Sequence, residues 1–219
     1  MSNSDSPLLI WGTGGHAISV LEAATAAGES SIAFCSEQGA AGQFEGFPRF
    51  PTRDIGSLAR DHRVVVAIGD NSARKHVAYE LRSQFPKIVF ATIVHPSAII
   101  APSVAVGAGT VVLQGAILGA KAAVGEHCIV NTGSSLDHES CLSDFASLAP
   151  GVTTGGRVQI GECSAIGIGA CLRHGITIGR DSVIGSASYV HEDLPDGIVA
   201  FGTPAQVIRH RDSSDPYLS

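Results

Sequence analysis

The stretch "VAVGAGTVVLQGAILGAKAAVGEHCIV", residues 104–130, decides the fold, because its branched aliphatics fall six apart at Val106, Val112, Leu118, Val124 and Val130. Extended in both directions, the register runs unbroken from Val94 to Val190. Sixteen of its seventeen positions are Ile, Leu or Val, and the exception is Thr154. The position that follows is Gly at 107, 119, 125, 155, 161, 167, 179 and 185. A period of six does not match the 3.6-residue repeat of an α-helix, and so many glycines would weaken one. It fits a parallel β-helix, in which each hexapeptide supplies a short side with an inward aliphatic and a corner where Gly supplies the backbone angles that a Cβ would oppose. With three sides to a coil, residues 94 to about 195 stack five to six coils roughly 4.8 Å apart.

Upstream of this register the rules change. "PLLIWG", residues 7–12, reads as a short buried strand, and "GTGGHAISVLEAATAAGE" as a Gly-rich turn followed by a helix that stops at Gly28. Further strands are predicted at "SIAFCSE", "RVVVAIGDN" and "KIVFATIV", with a helix at "SARKHVAYELRSQ" between the last two. Strands alternating with helices imply a small parallel sheet carrying helices, a Rossmann-like α/β domain. The expected division is therefore residues 1–92 for the α/β domain and 93–219 for the β-helix with its C-terminal tail.

Composition narrows the function classes. With 44% hydrophobic and 16% charged residues, a 219-residue chain buries a substantial core. A net charge of -6 and only 5% aromatics, with a pI near 5.8, give neither a basic stripe nor a stacking platform for nucleic acid. The first residues, "MSNSDSPLLIWGTGG", carry no positive segment, their apolar run is too short for a signal sequence, and no apolar stretch of eighteen residues follows. A cytoplasmic chain with no membrane partner is expected. Cysteines 35, 128, 141, 163 and 171 are odd in number and form no C-x-x-C pair, so they read as reduced thiols rather than a disulfide framework or zinc site.

Five segments occur in the order "GTGGH" (12–16), "VAIGDN" (66–71), "IVHPSA" (93–98), "DHES" (137–140) and "GTPA" (202–205). Together with the hexapeptide register, they make the chain resemble the left-handed β-helix acetyltransferases that modify nucleotide sugars, close to the bacillosamine and perosamine pathway enzymes. The resemblance implies a homotrimer that binds acetyl-CoA between neighbouring β-helices and acetylates the amine of a nucleotide-linked sugar, a 4-amino-4,6-dideoxy sugar being the family's expectation. It leaves open whether the nucleotide is UDP, GDP or dTDP.

In that frame the polar triplet Asp137, His138 and Glu139 carries the chemistry. His138 stands two positions past the inward Leu136, hence outside the core, and Gly156 follows it one coil along in the same column. Acyl transfer to an amine needs a base and a donor for the oxyanion, and imidazole suits the first task. The resemblance implies His138 as base and the Gly156 N–H as oxyanion donor. Glu139, or less directly Asp137, would orient the ring. His174 continues the column and is the rival base. Where some relatives carry a second His nine residues after the base, this chain has Ser147.

The turn "GTGGHA" formally matches a dinucleotide fingerprint, but a half-size domain lacks the second mononucleotide unit. The resemblance assigns it instead to the nucleotide of the sugar substrate, with Gly12, Thr13, Gly14, Gly15, His16, Ser36, Asp70, Asn71 and Arg74 as candidate contacts. Gly156, Ile168, Gly185 and Ser186 match the coils that hold acetyl-CoA, the co-substrate. Arg209 or Arg211 is the candidate for its phosphates, because Gln206 stands where many acyltransferases have Lys. O-acetylation of a sugar hydroxyl is the alternative within the class. A β-helix zinc hydratase is the alternative outside it, and His127, His138 and His174 lack a ligand spacing for zinc.

Overall fold

The computed structural model describes residues 6–37, 40–212 and 215. Its N-terminal sheet is built on β1 (Leu8–Trp11), four apolar residues all buried, as expected of a strand covered on both faces. β1 lies between β2 (Ile32–Ser36) and β5 (Arg63–Val66), paired parallel to both. β4 (Phe47–Pro51) and β6 (Val89–Phe90) extend the parallel sheet on either side, and β3 (Gly42–Phe44) closes one edge as the antiparallel arm of a hairpin with β4. Alternate residues of β1 feed two cores. Leu8 and Ile10 pack with Ala17 and Val20 of α1 (Gly15–Ala26). Leu9 and Trp11 pack with Ile55 of α2 (Ile55–Asp61) and Val77 and Leu81 of α3 (Asn71–Gln84).

The β3–β4 hairpin and α2 were not legible in the sequence, and "KIVFATIV" divides. Its Val89–Phe90 is β6, whereas Ile93–Val94 is the first strand of the β-helix. α1 ends at Ala26, and Gly28 (φ +93°) turns the chain out of it.

From Ile93 on, two-residue strands alternate with corners and stack into three sheets. Strands pair in parallel with the strand one coil on, as in Val112↔Val130, Leu118↔Leu136 and Val124↔Leu142. The second residue of each strand points inward, and Leu136, Leu142 and Leu148 are fully buried in the common core.

The corner glycines do a different job from the one expected of them. Gly107, Gly119, Gly125 and Gly155 do not adopt left-handed angles. A Cβ on Gly107 would stand 2.4 Å from the carbonyl carbon of Gly125, and one on Gly155 would stand 2.7 Å from the amide of His174. They are required by the closeness of stacked coils rather than by φ. Positive φ belongs to another corner column, and there side chains are tolerated: Lys121, His127, Glu139, Phe145, Arg157 and Cys163 all lie between 54° and 60°.

The two parts share core. Ile93, Val111 and Leu113 of the first coils belong to the cluster formed by α1 and β1, and Phe145 and Cys163 belong to the cluster under α2 and α3. α1 therefore covers the start of one β-helix face and leaves its later coils open.

Candidate active site

β1 delivers the chain into the turn Gly12–Gly15. Gly12 has φ +119°, and a Cβ there would come 3.0 Å from the carbonyl oxygen of Ala67, so the tight turn requires glycine. Gly14 caps α1 with its backbone, and the helix N-terminus faces a cavity of about 650 Å³. Gly12, Thr13, Gly14, Gly15, His16 and Ser36 line it, each of them named from the sequence. Glu37 and His76 line it too, and sequence reasoning missed them as contacts.

A second cavity, a groove of about 600 Å³, runs along the β-helix face that α1 leaves open. Ile168, Gly185 and Ser186, named from the sequence as candidate acetyl-CoA contacts, line it, and so do Asn131, Ser147 and Pro150, which were not foreseen as groove residues. Sorting outward positions into columns eighteen apart would have found this face, since Ile93 and Val111 give way to Ser147 and Ala165 along it. The groove and the first cavity share Gly15, His16 and Gly69. Among these, His16 alone carries a side chain beyond hydrogen. Its Nε2 is buried with no hydrogen-bond partner. Burial, with the Arg74 guanidinium second, pushes its pKa down to about 4, so it is neutral at neutral pH.

The triplet 137–139 forms a corner on another edge of the prism and lines neither cavity. Its geometry is tight. The Asp137 carboxylate accepts the backbone N–H of His138 at 2.6 Å. Nδ1 of His138 lies 3.3 Å from Oε2 of Glu139, which reaches it from a left-handed backbone (φ 57°). The opposite edge of the ring covers Gly156, where a Cβ would stand 2.3 Å from both Cε1 and Nε2. The side chain remains about half exposed, at 47%. Among the described residues, His138 is the histidine with a carboxylate within 4.0 Å. His174, two coils on, is exposed.

Two expected substrate contacts are corrected. Arg74 is buried and points into the protein rather than the cavity. Its Nε donates to the carbonyl of His127 (2.8 Å), Nη1 to those of Ile68 (2.8 Å) and Gly69 (3.0 Å), and Nη2 to that of Phe145 (2.8 Å) and to Oδ1 of Asn71 (2.7 Å). All five guanidinium N–H groups are thereby engaged within the protein. Asn71, equally buried, donates through Nδ2 to the carbonyls of Cys163 and Ser164, both at 3.1 Å. His127, Phe145 and Cys163 occupy one column of three successive coils, so the pair clips α3 to the β-helix while gripping the loop that carries Gly69. Asp70 caps α3, its Oδ1 accepting the N–H of Ala73 at 2.9 Å. Gly156 lies with His138 and outside the groove. Arg209 sits on the last strand, Ala205–His210, and pairs with Asp215 at 3.1 Å, both partners exposed. Arg211 donates to the carbonyls of Asp181 and Asp215.

Burial pushes the Cys35 and Cys163 thiols up to about 11 and Cys128 to about 12, which makes them poor nucleophiles. Among the described residues, no group of three or more His, Cys, Asp and Glu is arranged to hold a metal ion, and no helix is long and apolar enough to cross a membrane.

Residues 7–81 match the family described as the PglD N-terminal domain. The structure as a whole is similar to PerB from Caulobacter crescentus, solved in complex with CoA and GDP-perosamine. The identity is 33%, the TM-score is 0.87, and the match covers 94% of this chain and 99% of that one. A stretch of 108 residues is 35% identical to UDP-N-acetylbacillosamine N-acetyltransferase of Bacillus subtilis, covering 47% of this chain and 49% of that protein. Another of 59 residues is 46% identical to the galactoside O-acetyltransferase of Lactococcus lactis, covering 27% of this chain and 28% of that protein. The matched stretches thus span less than half of either curated relative.

Proposed function

Because this chain belongs to the hexapeptide-repeat nucleotide-sugar N-acetyltransferases with a left-handed β-helix, we propose that it moves the acetyl group of acetyl-CoA onto the amine of a nucleotide-linked amino sugar. One observation carries the reading: the cavity at the Gly-rich turn and the groove along the coils meet at Gly15, His16 and Gly69. A nucleotide seated at the N-terminus of α1, where backbone N–H groups favour phosphate, extends its sugar past His16 toward a thioester lying along Ile168, Gly185 and Ser186. Residues 1–92 hold the nucleotide and residues 93–219 the acetyl donor. The reading puts the enzyme in the cytoplasm.

His138 is the general base. It stands on an edge of the prism away from its own groove, so it serves the groove of a neighbouring copy in a homotrimer. The flanking sheet supports this arrangement, since Ile99, Ile117 and Tyr189 project from it as exposed apolar residues. In the reaction the amine attacks the thioester carbonyl carbon, and the proton it releases passes to Nε2 of His138. Glu139 holds Nδ1 and stabilises the imidazolium, and the Gly156 N–H faces the oxyanion. Collapse of the tetrahedral intermediate breaks the C–S bond, and the imidazolium returns its proton to the departing CoA thiolate.

A sugar hydroxyl is the second acceptor class, supported by the stretch shared with the galactoside O-acetyltransferase. The test is CoA release from acetyl-CoA with UDP-, GDP- and dTDP-linked 4-amino sugars, with mass analysis of the product. Release matched by a hydroxylamine-stable acetyl group on the sugar is expected. A hydroxylamine-labile product would move the assignment to oxygen, and no release with any acceptor would overturn the reading.

A further inference from the structure

The inward column has one polar member, Thr154, and of the N–H groups that directly follow inward residues, the one routed to a side chain, at Asp137, meets that same residue. Elsewhere in the β-helix, the residue after an inward position donates its N–H to the main-chain carbonyl of the inward residue one coil on. Gly119 donates to Leu136 at 2.8 Å, Gly125 to Leu142 at 2.8 Å and Asn131 to Leu148 at 3.0 Å. At Asp137 that bond is replaced, and its N–H goes to the side-chain Oγ1 of Thr154 at 2.9 Å. The strand pair around it also keeps a single register partner, Ser135↔Thr153, where the neighbouring stacked pairs have two. Thr154 is 4% exposed, so its hydroxyl sits in the core beneath the corner.

From this coincidence we infer that Thr154 is a positioning residue for His138. Its hydroxyl draws the 136–137 peptide out of the regular ladder and so sets the path of the chain into the base. The buried hydroxyl of Thr154 must find a partner, and it finds the N–H of Asp137, one residue before the imidazole. The re-aimed Asp137 places its carboxylate on the N–H of His138. The ring then lies over Gly156 with Glu139 at Nδ1. With Ile, Leu or Val at 154, as at the other inward positions, no hydroxyl competes, and the N–H of Asp137 returns to the carbonyl of residue 154. A local departure from ideal pairing that re-aims one side chain is the use to which bulges beside active sites are put.

The inference rests on the reading of His138 as base, and its test separates the two. In the crystal structure of Thr154→Val, the N–H of Asp137 is expected on the carbonyl of residue 154, with the imidazole displaced from Gly156. This result needs no turnover. In the acetyl-transfer assay the same variant should lose ~10-fold or more in kcat, with both KM values within about threefold of wild type. Its Tm should be no lower, because an aliphatic suits the core. Thr154→Ser keeps the hydroxyl and should keep kcat, and this contrast holds even if Val disturbs folding. An unmoved ring in the Val variant, wild-type kcat with Val, or equal losses with Ser and Val would each overturn the inference. A wild-type chain inactive with every acceptor would instead overturn the reading of function, while the Thr154→Val structure still decides the positioning.

Discussion

The imidazole of His138 and the bare Cα of Gly156, one coil apart, are packed so closely that a methyl group on Gly156 would lie 2.3 Å from both Cε1 and Nε2. No left-handed φ is recorded at Gly156, so alanine is sterically possible there only if the ring moves. Gly156→Ala should therefore fold normally and lose at least ~10-fold in kcat while binding both co-substrates. Steady-state kinetics beside a melting curve checks this, and an unchanged kcat would show that the contact has no part in catalysis.

Arg74 has become a structural clip. Arg74→Met leaves the carbonyls of His127 and Phe145 buried without their donor, which should cost at least ~3 kcal/mol. Urea denaturation measures the loss directly. Because the same guanidinium grips the Ile68 and Gly69 carbonyls beside the nucleotide cavity, nucleotide diphosphate should also bind more weakly by calorimetry.

Two neutral histidines make stability depend on pH. Burial, then Arg74, lowers His16 to about 4; burial, then Arg74 and Arg82, lowers His127 to about 4. In the unfolded chain both titrate near 6.5, so between 6.5 and 4 the unfolded state binds more protons. Stability present above pH 6.5 falls as pH drops through that window. The difference is worth roughly 3 kcal/mol for the fully buried His127. His127 stacks on Phe145, which has the same left-handed backbone one coil along. His127→Phe should therefore fold, and it should flatten the fall of Tm between pH 6.5 and 4.

Arg209 is exposed, and its Nη1 donates to Asp215 and to the carbonyl of His210; its exposed guanidinium can still reach a CoA phosphate, whereas both Nη atoms of Arg211 donate to main-chain carbonyls. Arg209→Ala should raise the KM for acetyl-CoA by about tenfold and leave that for the nucleotide sugar alone. Equal KM values would remove Arg209 from the site.

What the sequence revealed follows the range of the forces involved. The column from Val94 to Val190 was legible because a dry core one residue wide must repeat its aliphatic every six positions. The strand–turn–helix at Leu8–Ala26 was legible from Gly12 and its neighbours. The clip was misread as a set of substrate contacts, because the partners of Arg74, His127 and Phe145, lie 53 and 71 residues away and no local pattern announces them. The groove was read only in part, since it depends on which coils α1 covers. Thr154 stood out as an exception in the column, yet its meaning needed the rung at Asp137.

The most direct measurement is kcat for His138→Ala with acetyl-CoA and the nucleotide 4-amino sugar that the wild type turns over best. The account predicts a loss of at least ~10²-fold with the fold and both bound co-substrates retained. Turnover near that of the wild type would contradict it and shift the base to His174.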